Sequence, residues 1–301
     1  MSATHQLIAK LRRRLGVDEP LAAPLPALPL TPPPKRLYAR QQELAPFQRE
    51  AAAHTTALVG IGHVGTRYAT NVVLQFQAEL AVAHNAVSSE LADGWREEHG
   101  LMPLDTLATN HEQYLLRPDL GRRLSPESHA LLEGEALKDI DIQPILADGL
   151  SAVACMQSGL EVLAKIRAEC ERRGLSIGSA MCARHARVWL EDEIGQAVRA
   201  KVAIIILGER PGLGTGDGLS AYVVHEPRLG KTDGDRNMIS NIHRRGISPA
   251  AAATRLVELA NAMLQQGTSG VALDLSHLGT QSTDQLLRQP QVREALVEVK
   301  R

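Results

Sequence analysis

The sequence predicts an α/β fold, a Rossmann-like sheet with helices on both faces, preceded by a mostly helical N-terminal domain. Three observations lead to it. From Asp141 onward short apolar runs alternate with helical patterns, which argues for a parallel or mixed sheet flanked by helices. The longest apolar run, Val202-Ala-Ile-Ile-Ile-Leu207, has the unbroken character of a strand buried on both faces. Between residues 41 and 92, by contrast, apolar side chains recur at helical spacing.

Taken in chain order, residues 1–19 form an arm. Leu7, Ile8, Leu11 and Leu15 share one face of a short helix whose other faces carry Lys10, Arg12, Arg13 and Arg14. Seven prolines between Pro20 and Pro34 make residues 20–35 an extended linker that cannot bury enough apolar surface to fold. The helical domain, 36–135, holds helices at Gln41–His54 and Tyr68–Ala92; Val72, Val73, Phe76, Leu80, Ala83 and Val87 of the second form a core-facing stripe. Gly100 and Pro103 close that region.

The α/β domain, 136–278, opens with a strand at Ile142–Ala147. Ser151 caps a helix that ends near Arg173, with Gly174 just beyond it. A strand at Ser176–Ala183, a helix at Glu191–Ala200, the Val202–Leu207 strand and another strand at Leu219–His225 follow. After a loop, Ser248 and Pro249 start a helix running to Gln266, and Gly270–Leu275 is expected to be the last strand. Residues 279–301 turn polar and are a tail.

Composition narrows the function. The 33 Lys and Arg nearly cancel the 34 Asp and Glu, so no global field attracts nucleic acid or anionic lipid. With aromatic residues at 3%, a base-stacking platform is not expected either. Cys155, Cys170 and Cys182 are an odd set without CxxC spacing, which fits a reducing compartment and neither a disulfide framework nor a zinc site. No stretch approaches the ~18 apolar residues of a membrane span, and Met1–Leu15 is too polar for a secretory signal; the expected location is cytoplasmic.

The segment with most chemistry is Gly208–Gly218, GERPGLGTGDG, directly after the buried strand. It sets a carboxylate, Glu209, at the carboxyl end of a sheet strand, where ligands of open α/β sheets bind, beside glycines that let backbone approach a bound group. The same run also reads as a tight connection with Glu209 paired to Arg210 or Arg228. No nucleophile and base pair, HExxH or GxSxG pattern is present, so neither catalytic residues nor metal ligands are assigned.

Five segments in order, YLLRPDLGRRL from Tyr114, LADGLSA from Leu146, ARVWLEDEIG from Ala186, the Glu209 loop and RNMISNI from Arg236, resemble the small (light) subunit of ethanolamine ammonia-lyase. The likeness runs from about His54 to Val271. It implies a lyase subunit that contacts adenosylcobalamin while a large subunit carries the substrate site, converting ethanolamine to acetaldehyde and ammonia. It also implies a possible place inside a bacterial microcompartment, with the N-terminal helix meeting a shell protein. By the resemblance, the cobalamin contacts map to Val188 and Glu209, and a third to Met238, where the family has cysteine. A contact made by backbone survives that change and a thiol contact does not. The charged cluster Arg117, Asp119, Arg122 and Arg123 is either a subunit-interface anchor or a solvated face.

Two further motifs are weaker. Asn241-Ile-His243-Arg-Arg-Gly246 comes near the Asp-x-His-x-x-Gly motif of proteins that ligate cobalt through histidine, but Asn stands where a carboxylate must orient the ring. Gly60-Ile-Gly62-His-Val-Gly65 matches a dinucleotide fingerprint without its strand or its distal acid, and reads instead as a turn into a helix. It leaves one rival reading, a stand-alone nucleotide-binding oxidoreductase of Rossmann type.

Overall fold

The computed structural model describes residues 50, 61, 63–214, 216–244 and 246–276. The arm, the linker, most of the Gln41–His54 helix and the 279–301 tail lie outside the described residues.

Described structure begins with a two-stranded hairpin, β1 (His63–Val64) and β2 (Arg67–Tyr68), and helix α1 (Thr70–Val87). Helix α1 is shorter than its apolar pattern suggests. Tyr68 belongs to the hairpin, and at the other end the Ser88 and Ser89 hydroxyls donate to the carbonyls of His84 and Ala86, closing the last turn. Its stripe is not fully core-facing: Ala83 is buried, while Val73 and Leu80 are exposed, Leu80 by 50%.

Next come α2 (Trp95–Glu98), β3 (Met102–Asp105), α3 (His111–Leu116) and α4 (Pro126–Glu135). Strand β3 was not expected. Its sequence, Met-Pro-Leu-Asp, is short and contains a proline, which weakens a strand signal; β3 is an edge strand of the main sheet, where no second ladder needs the missing Pro103 N–H.

The remaining elements are β4 (Ile142–Ala147), α5 (Ala152–Ala154), a π-helical turn (Cys155–Gly159), α6 (Leu160–Arg173), β5 (Met181–Arg184), α7 (Leu190–Ala197), β6 (Val202–Gly208), β7 (Leu219–His225), β8 (Arg236–Ile242) and α8 (Pro249–Gln266). Local chemistry sets the helix ends as expected. Ser151 accepts from the Ala154 N–H and Ser248 from the Ala251 N–H, while Gly174 and Gly267 end α6 and α8 at φ +69° and +66°.

The sheet runs β3-β5-β4-β6-β7-β8. The first four strands are mutually parallel, and β7 and β8 are antiparallel to their neighbours. It is therefore a mixed sheet. Strands β4 and β6 lie at its centre and are buried along almost their whole length; β6 is accordingly an apolar run, while β4 carries Gln143, whose buried amide donates to the Pro144 and Ser179 carbonyls. Helices cover both faces: α6 and α8 pack on Leu146, Ile204, Ile206 and Val223, and α4 and α7 on Ile145, Ala183 and Ile205.

Two further sequence expectations fail. Strand β8 occupies what read as loop; its residues alternate between buried, half-buried and exposed, so its apolar pattern is faint. Gly270–Leu275 is not a strand, and Gly270–Ala272 forms a 3-10 turn. Asn237 holds it there, accepting from the Gly270 N–H at 2.7 Å and donating to its carbonyl at 3.3 Å. A backbone with both groups taken by a side chain, at φ +70°, cannot extend a ladder.

Winding reverses at β4: the chain leaves it to form β5 on one side and returns to form β6 on the other. The loops after β4 and β6 meet at this point. The Leu150 N–H donates to the Gly208 carbonyl at 3.0 Å, and the two glycines face each other so closely that a Cβ on Gly149 would overlap the Gly208 carbonyl oxygen. Gly149 also holds φ +57°. Gly149→Ala thus combines left-handed strain with overpacking, and we expect a loss of about 3 kcal/mol or more of unfolding free energy, measured by urea denaturation of the full-length chain.

Candidate functional site

Glu209 projects from the carboxyl end of β6. Its Oε1 accepts from the Ser220 hydroxyl and, at 3.3 Å, from the Asn241 N–H, and its own N–H donates to the Gly218 carbonyl, closing the glycine-rich loop. Neither arginine of the tight-connection reading takes it: Arg228 pairs with Glu226 at 3.1 Å. Its Oε2 has no hydrogen-bond partner among the described residues.

Register extends this site across the sheet. Ile205 stands opposite Tyr222, and Tyr222 opposite Met238, so the three side chains share one face. Ile205 is buried there, Tyr222 is half-buried against the same cluster, and Met238 is 50% exposed. The α4 and α7 helices cover this face over β5, β4 and β6 and leave β7 and β8 open. The Tyr222 hydroxyl is held above its ordinary pKa, first by burial and then by the nearby charges of Glu209, Asp233 and Glu191.

Val188 sits in the turn between β5 and α7 and packs on the same cluster. That turn is held from several sides. Asp148, buried after β4, accepts from the N–H groups of His185 at 2.8 Å and Ala186 at 3.2 Å. Burial pushes its carboxyl pKa upward and these backbone donors oppose the push. Thr106 donates to the His185 carbonyl and Tyr114 to the Ala186 carbonyl, while the Arg187 guanidinium lies 4.3 Å from the centre of the Tyr114 ring.

On the far side of Val188, Arg236 at the start of β8 is enclosed with Glu191 and Asp192 at the start of α7. Its guanidinium donates to Glu191 at 2.7 Å and to Asp192 at 2.8 and 3.2 Å, with all three side chains at most 2% exposed. One buried cation faces two buried acids, so burial pushes Glu191 up to about 8 in spite of Arg236. This cluster fixes the Val188 turn to the strand that carries Met238. Beside it, the Trp189 indole donates to Asp233 at 2.6 Å and Arg122 lies 4.6 Å over the same ring. Arg122, Trp189, Leu107 and Leu229 line a cleft of about 330 Å³.

The rest of the charged cluster is split. Arg117 pairs with exposed Asp119 at 2.7 Å, and Arg123 reaches Glu193 at 3.1 Å. His243 is buried, with Nε2 2.6 Å from the Asn241 Oδ1, so its ring is engaged within the chain. Gly60 and Gly62 lie outside the described residues; Gly65, at φ +62°, makes the turn of the β1–β2 hairpin, apart from the main sheet.

Structure thus brings Val188, Glu209 and Met238 to one sheet face, and it adds residues that sequence reasoning missed. Asp148, Tyr114, Arg187 and Arg236 all lie in the five quoted segments, but single polar residues have no spacing to mark them. Ser220, inside an apolar strand, was the more legible signal.

Fold and surface together define an α/β protein with an open sheet face and a carboxylate at its carboxyl edge. The family model "Ethanolamine ammonia-lyase light chain (EutC)" matches residues 47–274. The chain belongs to this family; it is the light chain of a lyase, and a light chain implies a large-subunit partner. No described helix is long and apolar enough to cross a membrane.

Glu191 provides a pH test. Its folded pKa, about 8, lies above the ordinary 4.5, so the folded protein holds a proton that the unfolded chain releases. The resulting stability is complete below about pH 4.5 and is lost as pH rises through 8, a fall of about 3–5 kcal/mol. Glu191→Gln keeps an acceptor for Arg236 without the acid. Urea unfolding between pH 5 and 9 should show a flatter decline for the variant, with parent-like stability near pH 5.

Proposed function

We propose that this chain is the small subunit of adenosylcobalamin-dependent ethanolamine ammonia-lyase and that it positions the corrin, while the large subunit carries the substrate site for converting ethanolamine to acetaldehyde and ammonia. The observation that carries this reading is the pairing of an open apolar sheet face, Tyr222 and Met238, with a carboxylate that keeps one oxygen available, Glu209. The corrin is a broad, flat group with amides around its rim. An uncovered face suits its plane, and an acceptor carboxylate suits an amide N–H, so these residues fit the group.

In this reading Val188 packs against the ligand from a turn already held by Asp148, Tyr114 and Arg236, so little ordering entropy is lost on binding. Glu209, oriented by Ser220 and the Asn241 N–H, accepts from a rim amide. Met238 supplies a thioether or backbone contact in place of the family cysteine. Adenosylcobalamin supplies the radical chemistry when bound; the role of these residues is to hold and orient it. The exposed apolar side chains of α1, Leu74 and Leu80, with Arg122 and Arg117, are surface available to the large subunit. A Rossmann-type oxidoreductase has less support, because the Gly149–Gly208 contact occupies the winding reversal where a dinucleotide would lie. For residues 1–19 on their 20–35 linker we propose a tether to a microcompartment shell protein.

Three measurements test these assignments. In the reconstituted two-subunit complex, Glu209→Ala should weaken cobalamin binding about 10- to 150-fold, the worth of one charge-assisted hydrogen bond, with unchanged circular dichroism; equal affinity removes Glu209 from the site. Turnover at saturating cofactor should stay near the parent level in Met238→Cys and fall in Met238→Asp, which brings a charge to an apolar contact; a harmless aspartate excludes Met238. Deleting residues 1–35 should leave ammonia release intact and abolish co-localisation with shell protein in cells, and loss of activity would assign the arm to the catalytic assembly.

A further inference from the structure

Away from the cobalamin face, three chain segments bring Glu90, His111 and His185 together. Glu90 follows α1, His111 is the first residue of α3, and His185 begins the turn that carries Val188. One donor atom from each lies within 4.8 Å of the other two.

The histidine nitrogens are the telling feature. Nε2 of His111 and Nε2 of His185 are both buried, and neither has a hydrogen-bond partner. His185 itself is only 6% exposed. A buried nitrogen without a partner is costly, and two beside one carboxylate are rarely left so without reason. The carboxylate does not resolve it: the Glu90 Oε2 is 3.7 Å from the His185 Nε2, too far for a hydrogen bond. The orientation of His185 is also that of a ligand. Its Nδ1 lies 3.3 Å from the Ala108 carbonyl, an atom that only accepts, so in the neutral ring Nδ1 holds the proton and Nε2 the lone pair. Metal-bound histidines are held by this outer hydrogen bond. The ring is further fixed by stacking on Tyr114, with centroids 5.7 Å apart.

We propose that Glu90, His111 and His185 bind a divalent transition-metal ion of the zinc class. Two imidazoles and one carboxylate are a donor set for zinc, with water in the fourth position. Zinc–nitrogen bonds of about 2.0–2.1 Å place ligand atoms roughly 3.4 Å apart, so closure from the 4.8 Å span needs an approach of at most about 1.4 Å, available to exposed Glu90 and half-buried His111. The bound ion ties the segment after α1 and the start of α3 to the Val188 turn. Sequence spacing does not disclose such a site, because its ligands come from three separate segments of the chain.

The test uses the full-length chain, stripped with chelator and equilibrated with buffered zinc. The expected result is one zinc per chain, with cobalt(II) in its place giving the intense visible bands of a low-coordinate ion. His111→Ala and Glu90→Gln should each lower affinity at least tenfold. Both alter the less buried ligands, and unchanged circular dichroism confirms that the fold persists; zinc should raise the unfolding midpoint of the parent and not of either variant. Absence of stoichiometric zinc would overturn the proposal, as would equal binding by the parent and both variants, which would mean an adventitious ion only, held by other histidines.

Discussion

The structure depends on a backbone contact between two glycines. Where β4 and β6 end side by side, the loop after β4 must cross the end of β6, and Gly149 and Gly208 allow it by having no Cβ. The crossing puts Asp148 beneath the loop after β5, where its carboxylate gathers the amides of His185 and Ala186. Everything that shapes the candidate site on that side follows from this placement. The turn carrying Val188 is set by an acid on a neighbouring strand, and that acid by a glycine contact with the next.

The opposite support is electrostatic. Arg236, Glu191 and Asp192 join the first residue of β8 to the first turn of α7 with all three side chains buried. Such a cluster adds little net stability compared with apolar packing. Its value is positional, because the rigid guanidinium fork donates to both acids at once. The turn between these supports is thereby held at both ends, while β7 and β8 keep one face open.

Legibility in the sequence followed burial. The central strands β4, β6 and β7 and the capped helices α6 and α8 were readable because mostly apolar runs and Ser, Pro and Gly punctuation report burial and helix ends directly. Strands β3 and β8 were not, because edge strands are short or half-exposed and lose the apolar signal; Pro103 and the polar Arg236–Ile242 run both argued against a strand. Glu209 was visible as an acid after a buried strand. Val188 and Met238 came from likeness to a family, and nothing local marked them. The three residues that close on each other around His185 were invisible, since no spacing links residues 90, 111 and 185.

The margins of the sheet carry a consequence for assembly. On β3, Pro103 has no amide proton, the outward N–H of Asp105 donates to the Ser128 hydroxyl, and the Asp105 carbonyl accepts from the Ser125 N–H. On β8, the ladder is interrupted by a bulge opposite Leu219 and Ala221, Asn241 turns to φ +61°, and the Ile247 N–H takes the Asn241 carbonyl. Both borders are thus blunted against a foreign strand. A sheet bordered this way resists edge-to-edge polymerisation, which leaves side-chain surfaces and not strand pairing as the means of contact with another chain.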